Sequence, residues 1–360
     1  MGTRGIQNSI AVAVPVSLSF GRFSDVTTPV LFARALRMLL ARSGLDKNEI
    51  DGLAVSSFSL APDPAVALTR SLGLSLSWFE DVSVGGASGC VALSRASRAV
   101  ENGDASIVAC IAADTNPKDS FKNLISDFSR ASKKGVYPYG AGGPTSVFAL
   151  LTQQYMRTSG AGREDFAAIC SAQRRNAENV AHAVHKKPLS IGEYLEARMI
   201  AEPLCLYDCV MPVTGAEAFL VMSESRAISL GLPYTLPLSN IEAYNAFSED
   251  SSPLRGGWEL GRERLFNEAR LSPDDMDIIE TYDDYPAVSV LQLEELGILP
   301  VGEGAKVLAG NKQLLARINT SGGQLSCGQA GAAGGFLGLV EAIRQLTGQA
   351  EGWQQKDARH

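Results

Sequence analysis

The chain has 360 residues, 45% hydrophobic and 20% charged, with 35 glycines, a composition of a soluble globular protein long enough for two domains or one duplicated unit. Its formal net charge of -7, with no basic run and local basic groups such as Lys133-Lys134 and Lys186-Lys187, argues against nucleic acid as a partner. No apolar run approaches the roughly 18 residues of a membrane span, and Met1 to Val14 lacks the features of a secretory leader, so the cytoplasm is the expected compartment.

The first half alternates strand and helix. A strand is expected over Ile10 to Val16, an amphipathic helix over Thr28 to Ser43 and a second strand over Asp51 to Phe58. There follow a short helix near Ala65 to Leu72, a strand running into Gly85-Gly86, a helix from Gly89 to Asn102 and the apolar strand Ala105 to Ala113. This alternation predicts an α/β fold with a largely buried sheet. From Asp114 to Gly143 the pattern gives way to a polar loop of a length that is uncommon without a function. Glu164 to Pro203 reads as helices and excursions, with Arg174, Arg175 and Asn176 on one helix, before the strand Ala216 to Ser223.

The second half echoes the first. Leu45 to Asp51 and Leu271 to Asp277 each end an amphipathic helix, turn on a polar capping cluster and enter an apolar strand, 226 residues apart (271 minus 45). Gly85-Gly86 before the helix at Cys90 has a counterpart in Gly322-Gly323 and the glycine-rich run into the helix Phe336 to Leu346. Two echoes in one order predict an internal duplication: an N-terminal half over 1–230, with an excursion at about 114–203, and a C-terminal half over 231–360. Cysteines at 90, 110, 170, 205, 209 and 327 have neither metal-ligand spacing nor the density of a disulfide scaffold, and read as free thiols. No metal site is expected, and His182, His185 and His360 all lie outside the glycine-rich motifs.

A duplicated α/β chain with a glycine turn before the third helix of each half resembles the thiolase superfamily, in its sterol-carrier-protein-X and lipid-transfer-protein branch. The resemblance is carried by Val82 to Leu93, by Pro203 to Cys209 with Gly215 to Ala218, by Glu280 to Pro286 with Leu291 to Gly297, and by Ile318 to Gln329 with Glu341 to Leu346. It spans nearly the whole chain and implies the thiolase fold, a duplicated αβαβα layered unit with two central mixed sheets. Members of that family use a thiolate nucleophile, an activating histidine and a second acid/base thiol. Carried over by position, the nucleophile becomes Gly86, the histidine of the Gly-His-Pro loop becomes Gln329, and the His-Asp-x-Phe histidine becomes Tyr282. The second cysteine would follow the last helix, and His360 is reached without one. A glycine cannot form a thioester, so thiolase chemistry at position 86 is excluded.

Retro-aldol cleavage of a β-hydroxyacyl-CoA needs no acyl-enzyme. It requires a base for the β-hydroxyl proton, stabilisation of the thioester enolate and an acid for the new α-carbon. Resemblance to thiolase-fold aldolases that shorten steroid or related acyl-CoA side chains implies Tyr282 for proton transfer, given a lowered pKa, Gln329 as oxyanion donor and Gly86 as room for substrate. Cys327 stands where those aldolases are expected to hold a second tyrosine, and a thiol of ordinary pKa near ~8.5 can act as an acid. Packing is its alternative role. Asp283 and Asp284 are candidate caps, either able to polarise Tyr282 or position Tyr285. Asn319 is a candidate for orienting a water or the thioester oxygen, or else a turn former. Cys90, in the first turn of a helix, is a displaced nucleophile if the helix dipole lowers its pKa, and otherwise a packed residue. Gly328, Gly331 and Gly334 fit close backbone approach, either to a pantetheine arm or between helix and strand. Tyr137, Tyr139 and Phe148 point to a bulky or ring-containing acyl group.

The expected function is therefore an acyl-CoA carbon-carbon lyase with no tightly bound cofactor and coenzyme A as part of the substrate. Two alternatives stand beside it: a thiolase or acyltransferase using Cys90 or Cys327, and a non-catalytic thiolase-fold subunit. The resemblance also implies a homodimer paired through the N-terminal sheets and a small partner carrying a zinc ribbon and an OB fold. The end at His360 fits dependence on another polypeptide, or else a truncated chain.

Overall fold

Apolar and small residues fill every position of β1 (Ile10–Ser17), which is buried on both faces. The computed structural model of the protein describes residues 9–18, 21–60, 63–118, 138, 140, 143–250 and 254–360. Tyr137, Tyr139, Lys133 and Lys134 lie outside the described residues. After β1, α1 (Thr28–Ser43) takes Pro29 in its first turn and stops at Gly44, whose left-handed φ of 72° suits glycine. Then come β2 (Gly52–Ser56), α2 (Pro64–Leu72) and β3 (Trp78–Asp81). A 3-10 turn at Gly85–Ala87 runs directly into α3 (Ser88–Asn102), which is followed by β4 (Ile107–Asp114).

The middle of the chain holds α4 (Gly143–Ser159), α5 (Arg163–Asn176), α6 (Ile191–Leu195) and a two-stranded ribbon of β5 (Met199–Ala201) and β6 (Leu204–Cys205). β7 (Gly215–Ser223), α7 (Glu224–Ser229) and β8 (Tyr234–Thr235) complete the first half. The second half contains α8 (Trp258–Ala269), α9 (Pro286–Glu295), α10 (Gly304–Gly310), α11 (Lys312–Arg317), α12 (Gly323–Cys327) and α13 (Gly334–Leu346).

The main sheet has the order β3-β2-β4-β7-β1-β8, parallel across β3, β2 and β4 and antiparallel from β4 through β8. Leu31, Phe32, Ala35, Leu36 and Leu39 of α1 cover one face, while Val91, Ala92 and Ala96 of α3 and Phe336, Val340 and Ile343 of α13 cover the other. The strand alternation sends Ala11, Ala13 and Leu53 to the first cluster and Val12 and Ala54 to the second. Among the described residues no helix is long and apolar enough to cross a membrane.

The elements of the first half form where periodicity places them, with one instructive shortening. β2 stops at Ser56 rather than Phe58, because Ser57, Phe58 and Ser59 turn to donate to the Asp114 carboxylate from two hydroxyls and two backbone N–H groups. Two local turns 226 residues apart share one form. The 3-10 turns Lys47–Glu49 and Pro273–Asp275 follow α1 and α8, and in each the residue before the turn donates its N–H to the carboxylate ending it.

One expectation about the architecture is corrected. Where a second mixed sheet was expected, the described residues hold a single parallel bridge, Ile279 to Ile318. The ladder ends there because the next donor, the Thr281 N–H, is taken by the Asn319 side chain at 2.7 Å. On the other side, the N–H groups of Asp277 and Ile278 donate to the His360 carbonyl at 2.9 and 3.2 Å.

Candidate active site

The extended segment leading into α9 sorts its side chains by parity. Thr281, Asp283 and Tyr285 are buried, whereas Tyr282 and Asp284 are only half-buried. Residues two apart on extended chain share a face, so Tyr282 and Asp284 look out together. Gln329 meets them from the turn after α12, half-buried between buried Gly328 and Ala330.

These three side chains form one hydrogen-bonded group. Gln329 Nε2 donates to the Tyr282 hydroxyl at 2.9 Å and to Asp284 Oδ1 at 2.7 Å. Tyr282 and Asp284 are thus joined through the two hydrogens of one amide. Burial, with the neighbouring Asp283 carboxylate, pushes the Asp284 carboxyl up to about 7. Burial and the Asp284 charge push the Tyr282 hydroxyl above its ordinary value. The expectation of a lowered tyrosine pKa is thus corrected: Tyr282 stays protonated, and the group that titrates near neutrality is Asp284. Asp284 had been read as a cap or polarising group rather than as the acid/base itself. Its spacing of two from Tyr282 was the available signal.

The remaining expected residues hold this group in place or stand apart from it. Asp283 is 1% exposed and accepts from Gln324 N at 2.8 Å, Gln173 Nε2 at 2.9 Å and Leu325 N at 3.4 Å, which ties α5 and α12 to the segment. Burial moves its carboxyl up to about 6. Gln292 of α9 grips the Tyr282 backbone, accepting from its N–H at 3.1 Å and donating to its carbonyl at 2.7 Å. Asn319 is fully buried, and its amide is engaged with Thr281 on both its oxygen and its nitrogen. The bonds it makes hold Thr281, the residue before Tyr282. Tyr285 points elsewhere, stacked on Phe148 with centroids 4.6 Å apart and its hydroxyl 3.0 Å from that of Thr145.

The cysteines depart furthest from expectation. Cys327 is fully buried among Ala177, Val180, Ala183 and Leu337, and its thiol points 3.3 Å from the Ser321 carbonyl. Burial raises it well above the ordinary thiol range, so it is a packing residue and not a proton donor to the Tyr282 face. Cys90 has an exposed side chain at the start of α3. All six cysteines are free thiols.

Gly86 is corrected too. A Cβ there would stand 2.4 Å from Cε2 of Tyr282, so the space where a nucleophile would sit is filled by the tyrosine ring rather than left for substrate. The other glycines likewise face protein atoms. A Cβ at Gly328 would meet Val213 at 2.8 Å, one at Gly331 the Asp114 carboxylate at 2.2 Å, and one at Gly334 Gln324 Oε1 at 2.2 Å. Close approach within the protein is therefore realised at each of the three, a role compatible with approach to a pantetheine arm. Gly89 and Gly335 bring α3 and α13 together, a Cβ on Gly89 falling 2.3 Å from the Gly335 carbonyl. The glycine turns of the two halves therefore meet back to back beside Tyr282.

Residues 242–360 match the family model of the thiolase C-terminal domain-like proteins. The chain is 32% identical over 337 residues to the 17-hydroxy-3-oxo-4-pregnene-20-carboxyl-CoA lyase of Mycobacterium tuberculosis, covering 88% of this chain and 86% of the relative. It is 28% identical over 362 residues to a steroid side-chain-cleaving aldolase of Thermomonospora curvata, covering 95% and 91%. A solved structure described as Ltp2-ChsH2(DUF35) aldolase superposes with a TM-score of 0.82 at 26% identity, covering 98% of this chain and 93% of that one.

Proposed function

This chain belongs to the thiolase superfamily, among its thiolase-fold acyl-CoA aldolases, and from that premise we propose that it cleaves a β-hydroxyacyl-CoA at Tyr282, Asp284 and Gln329. In the forward direction the Tyr282 hydroxyl takes the β-hydroxyl proton while passing its own to the Asp284 carboxylate. The bond between the α- and β-carbons breaks, its electron pair goes to the thioester as an enolate, and a ketone or aldehyde leaves. The proton held on Asp284 returns through Tyr282 to the α-carbon and gives the shortened acyl-CoA. Atoms and charge balance with no acyl-enzyme.

Gln329 has both amide hydrogens engaged in this arrangement. Its role is to hold the tyrosine and the carboxylate at transfer distance, in place of the oxyanion donation expected of it. The observation that carries the reading is this shared donor, placed beside a glycine that removes any nucleophile and admits the Tyr282 ring.

The substrate we infer is a steroid-like or aromatic acyl-CoA, from the names of the two relatives and their coverage of the chain. The similar solved structure carries a second component, ChsH2(DUF35), which supports a small partner subunit here. The outer edge of β3, with half-buried Trp78 and Phe79, is the sheet edge available for a homodimer. The matching turns 226 residues apart support two duplicated halves meeting near residue 230.

The test is incubation of the pure protein, alone and co-expressed with a partner, with a β-hydroxyacyl-CoA. A ketone or aldehyde and a shorter acyl-CoA are expected without added free CoA. Cleavage that depends on free CoA, with an acyl group on Cys90 or Cys327 by mass spectrometry, overturns the reading in favour of a thiolase.

A further inference from the structure

Three consecutive residues at the entry to α9 are each gripped by a different side chain. Gln292 holds the Tyr282 backbone, Asn319 holds Thr281, and Thr320 holds Glu280. The first two grips pair a donor with an acceptor. The third brings two acceptors to one donor. Thr320 Oγ1 lies 2.7 Å from Glu280 Oε1 and 3.0 Å from Glu341 Oε1, and the Thr320 N–H donates to the same Glu280 oxygen at 3.0 Å.

A hydroxyl has one hydrogen to give, and an ionised carboxylate only accepts. With both carboxyls ionised, one oxygen pair would meet with no hydrogen between, and two like charges would share a buried site. One added proton removes the conflict. A protonated Glu280 donates to Thr320, and Thr320 donates to Glu341. The surroundings put the negative charge on Glu341, whose Oε1 also accepts from Gln345 Nε2 at 2.9 Å and whose Oε2 stands 3.7 Å from Arg344 Nη1. Glu280 Oε2 has no hydrogen-bond partner among the described residues.

The other charged groups facing the pair fit this assignment. Burial and the Glu341 charge push the Glu280 carboxyl well above its ordinary value, and Asp283 on the same segment adds to the push. Burial raises Glu341 too, and Arg344 opposes it. Arg344 donates to Ser17 of β1 at 2.7 Å, and Ser17 donates to Glu217 of β7 at 2.6 Å. Burial moves Glu217 up to about 8, which leaves the Arg344 charge to Glu341. His182 is taken by Glu351 at 3.3 Å, and Arg42 of α1 donates to the Pro15 carbonyl at 2.6 Å.

Glu280 has the same parity along the extended segment as Tyr282 and Asp284. It faces α13, where a Cβ at Gly338 would stand 3.0 Å from the Glu280 Cβ. The start of α13 abuts the turn under the Tyr282 ring, since a Cβ at Gly335 would stand 2.9 Å from the Gly86 carbonyl. The contact from Glu280 through Thr320 to Glu341 thus ties the segment bearing Tyr282 to the helix that abuts the turn its ring rests on.

We propose that Glu280 is a positioning residue for Tyr282, holding its segment against α13 through a proton shared with Glu341 across the Thr320 hydroxyl. The effect on cleavage rests on the lyase reading. The shared proton stands on the geometry of the three side chains.

Infrared difference spectroscopy on the full chain at neutral pH tests the proton, comparing the parent with E280Q. The difference should show the loss of one protonated carboxyl. An amide at position 280 can give Thr320 the same hydrogen, so E280Q should melt above E280L, and with rising pH it should lose less stability than the parent, whose proton is released. In the cleavage assay E280L and T320V should lower kcat about 10- to 100-fold through a displaced Tyr282, with KM moving less than about threefold. E280Q should recover most of that loss. A difference spectrum with no protonated carboxyl overturns the proposal, as does an E280L that matches E280Q in melting temperature and kcat. Should E280L fail to fold, the spectrum of E280Q still decides. A parent that cleaves nothing, with the carboxyl band lost in E280Q and E280L melting below it, rejects the lyase reading and keeps the contact.

Discussion

The ring of Tyr282 lies against the Cα of Gly86, so close that any side chain at position 86 would occupy it. The absence of a nucleophile and the presence of the tyrosine are therefore one structural event. Restoring one displaces the other.

That relationship predicts the behaviour of Gly86→Ala and Gly86→Cys. Each overpacks the turn by about 1–3 kcal/mol and pushes the Tyr282 ring off Gln329. Lyase activity should fall at least as far as in Tyr282→Phe, and Gly86→Cys should not gain thiolase activity. Pairing Gly86→Ala with Tyr282→Ala should recover melting temperature without recovering cleavage, a non-additivity that a double-mutant cycle in thermal unfolding reads directly.

Removing only the hydroxyl isolates the chemistry. Tyr282→Phe keeps the ring over Gly86, and its cleavage rate should drop about 100- to 10,000-fold with little change in melting temperature. Chromatography of the acyl-CoA products measures it. A variant that keeps more than a tenth of the parent rate removes Tyr282 from the proton path.

Asp284 predicts opposite pH trends for rate and stability. As the base it must be ionised, so kcat/KM should rise with pH through about 7, and Asp284→Asn should lose both the rise and most of the activity. For stability, the folded chain keeps this proton up to about 7, whereas the unfolded chain releases it near its ordinary 3.8. Between those values the folded state binds more protons, so the stabilisation is complete below the lower value and is lost as pH rises through the upper one. Asp284→Asn should consequently raise the melting temperature more at pH 8 than at pH 5. Calorimetry at the two pH values checks the sign.

Thiol labelling separates the two cysteines once considered catalytic. Iodoacetamide on the native protein should modify exposed Cys90, and buried Cys327 only after unfolding. Cys327→Ala should cleave acyl-CoA at close to the parent rate. Peptide mass spectrometry and the product assay report the two outcomes.

Much of the fold was legible in the residues. The helix Thr28–Ser43 carries its apolar stripe, its early proline and its terminal glycine in local sequence, and it forms over those bounds. The reach of β2 was not legible, because Asp114, more than fifty residues away, draws Ser57 to Ser59 into a turn. The second sheet was over-read for a similar reason: an Asn319 side chain takes the donor that would have continued its ladder.

By itself the sequence pointed to a thiolase-like chain in which a glycine stands at the nucleophile's position 86 and a glutamine at the loop histidine's position 329. Only the tertiary structure decided what stands around them. Burial sets which of Asp283 and Asp284 faces the opening, which thiols are packed away, and which way each pKa moves, and burial is a property of neighbours that are distant along the chain. The same holds for Arg174, an ordinary helical arginine in sequence, which folding buries beside the Tyr207 ring.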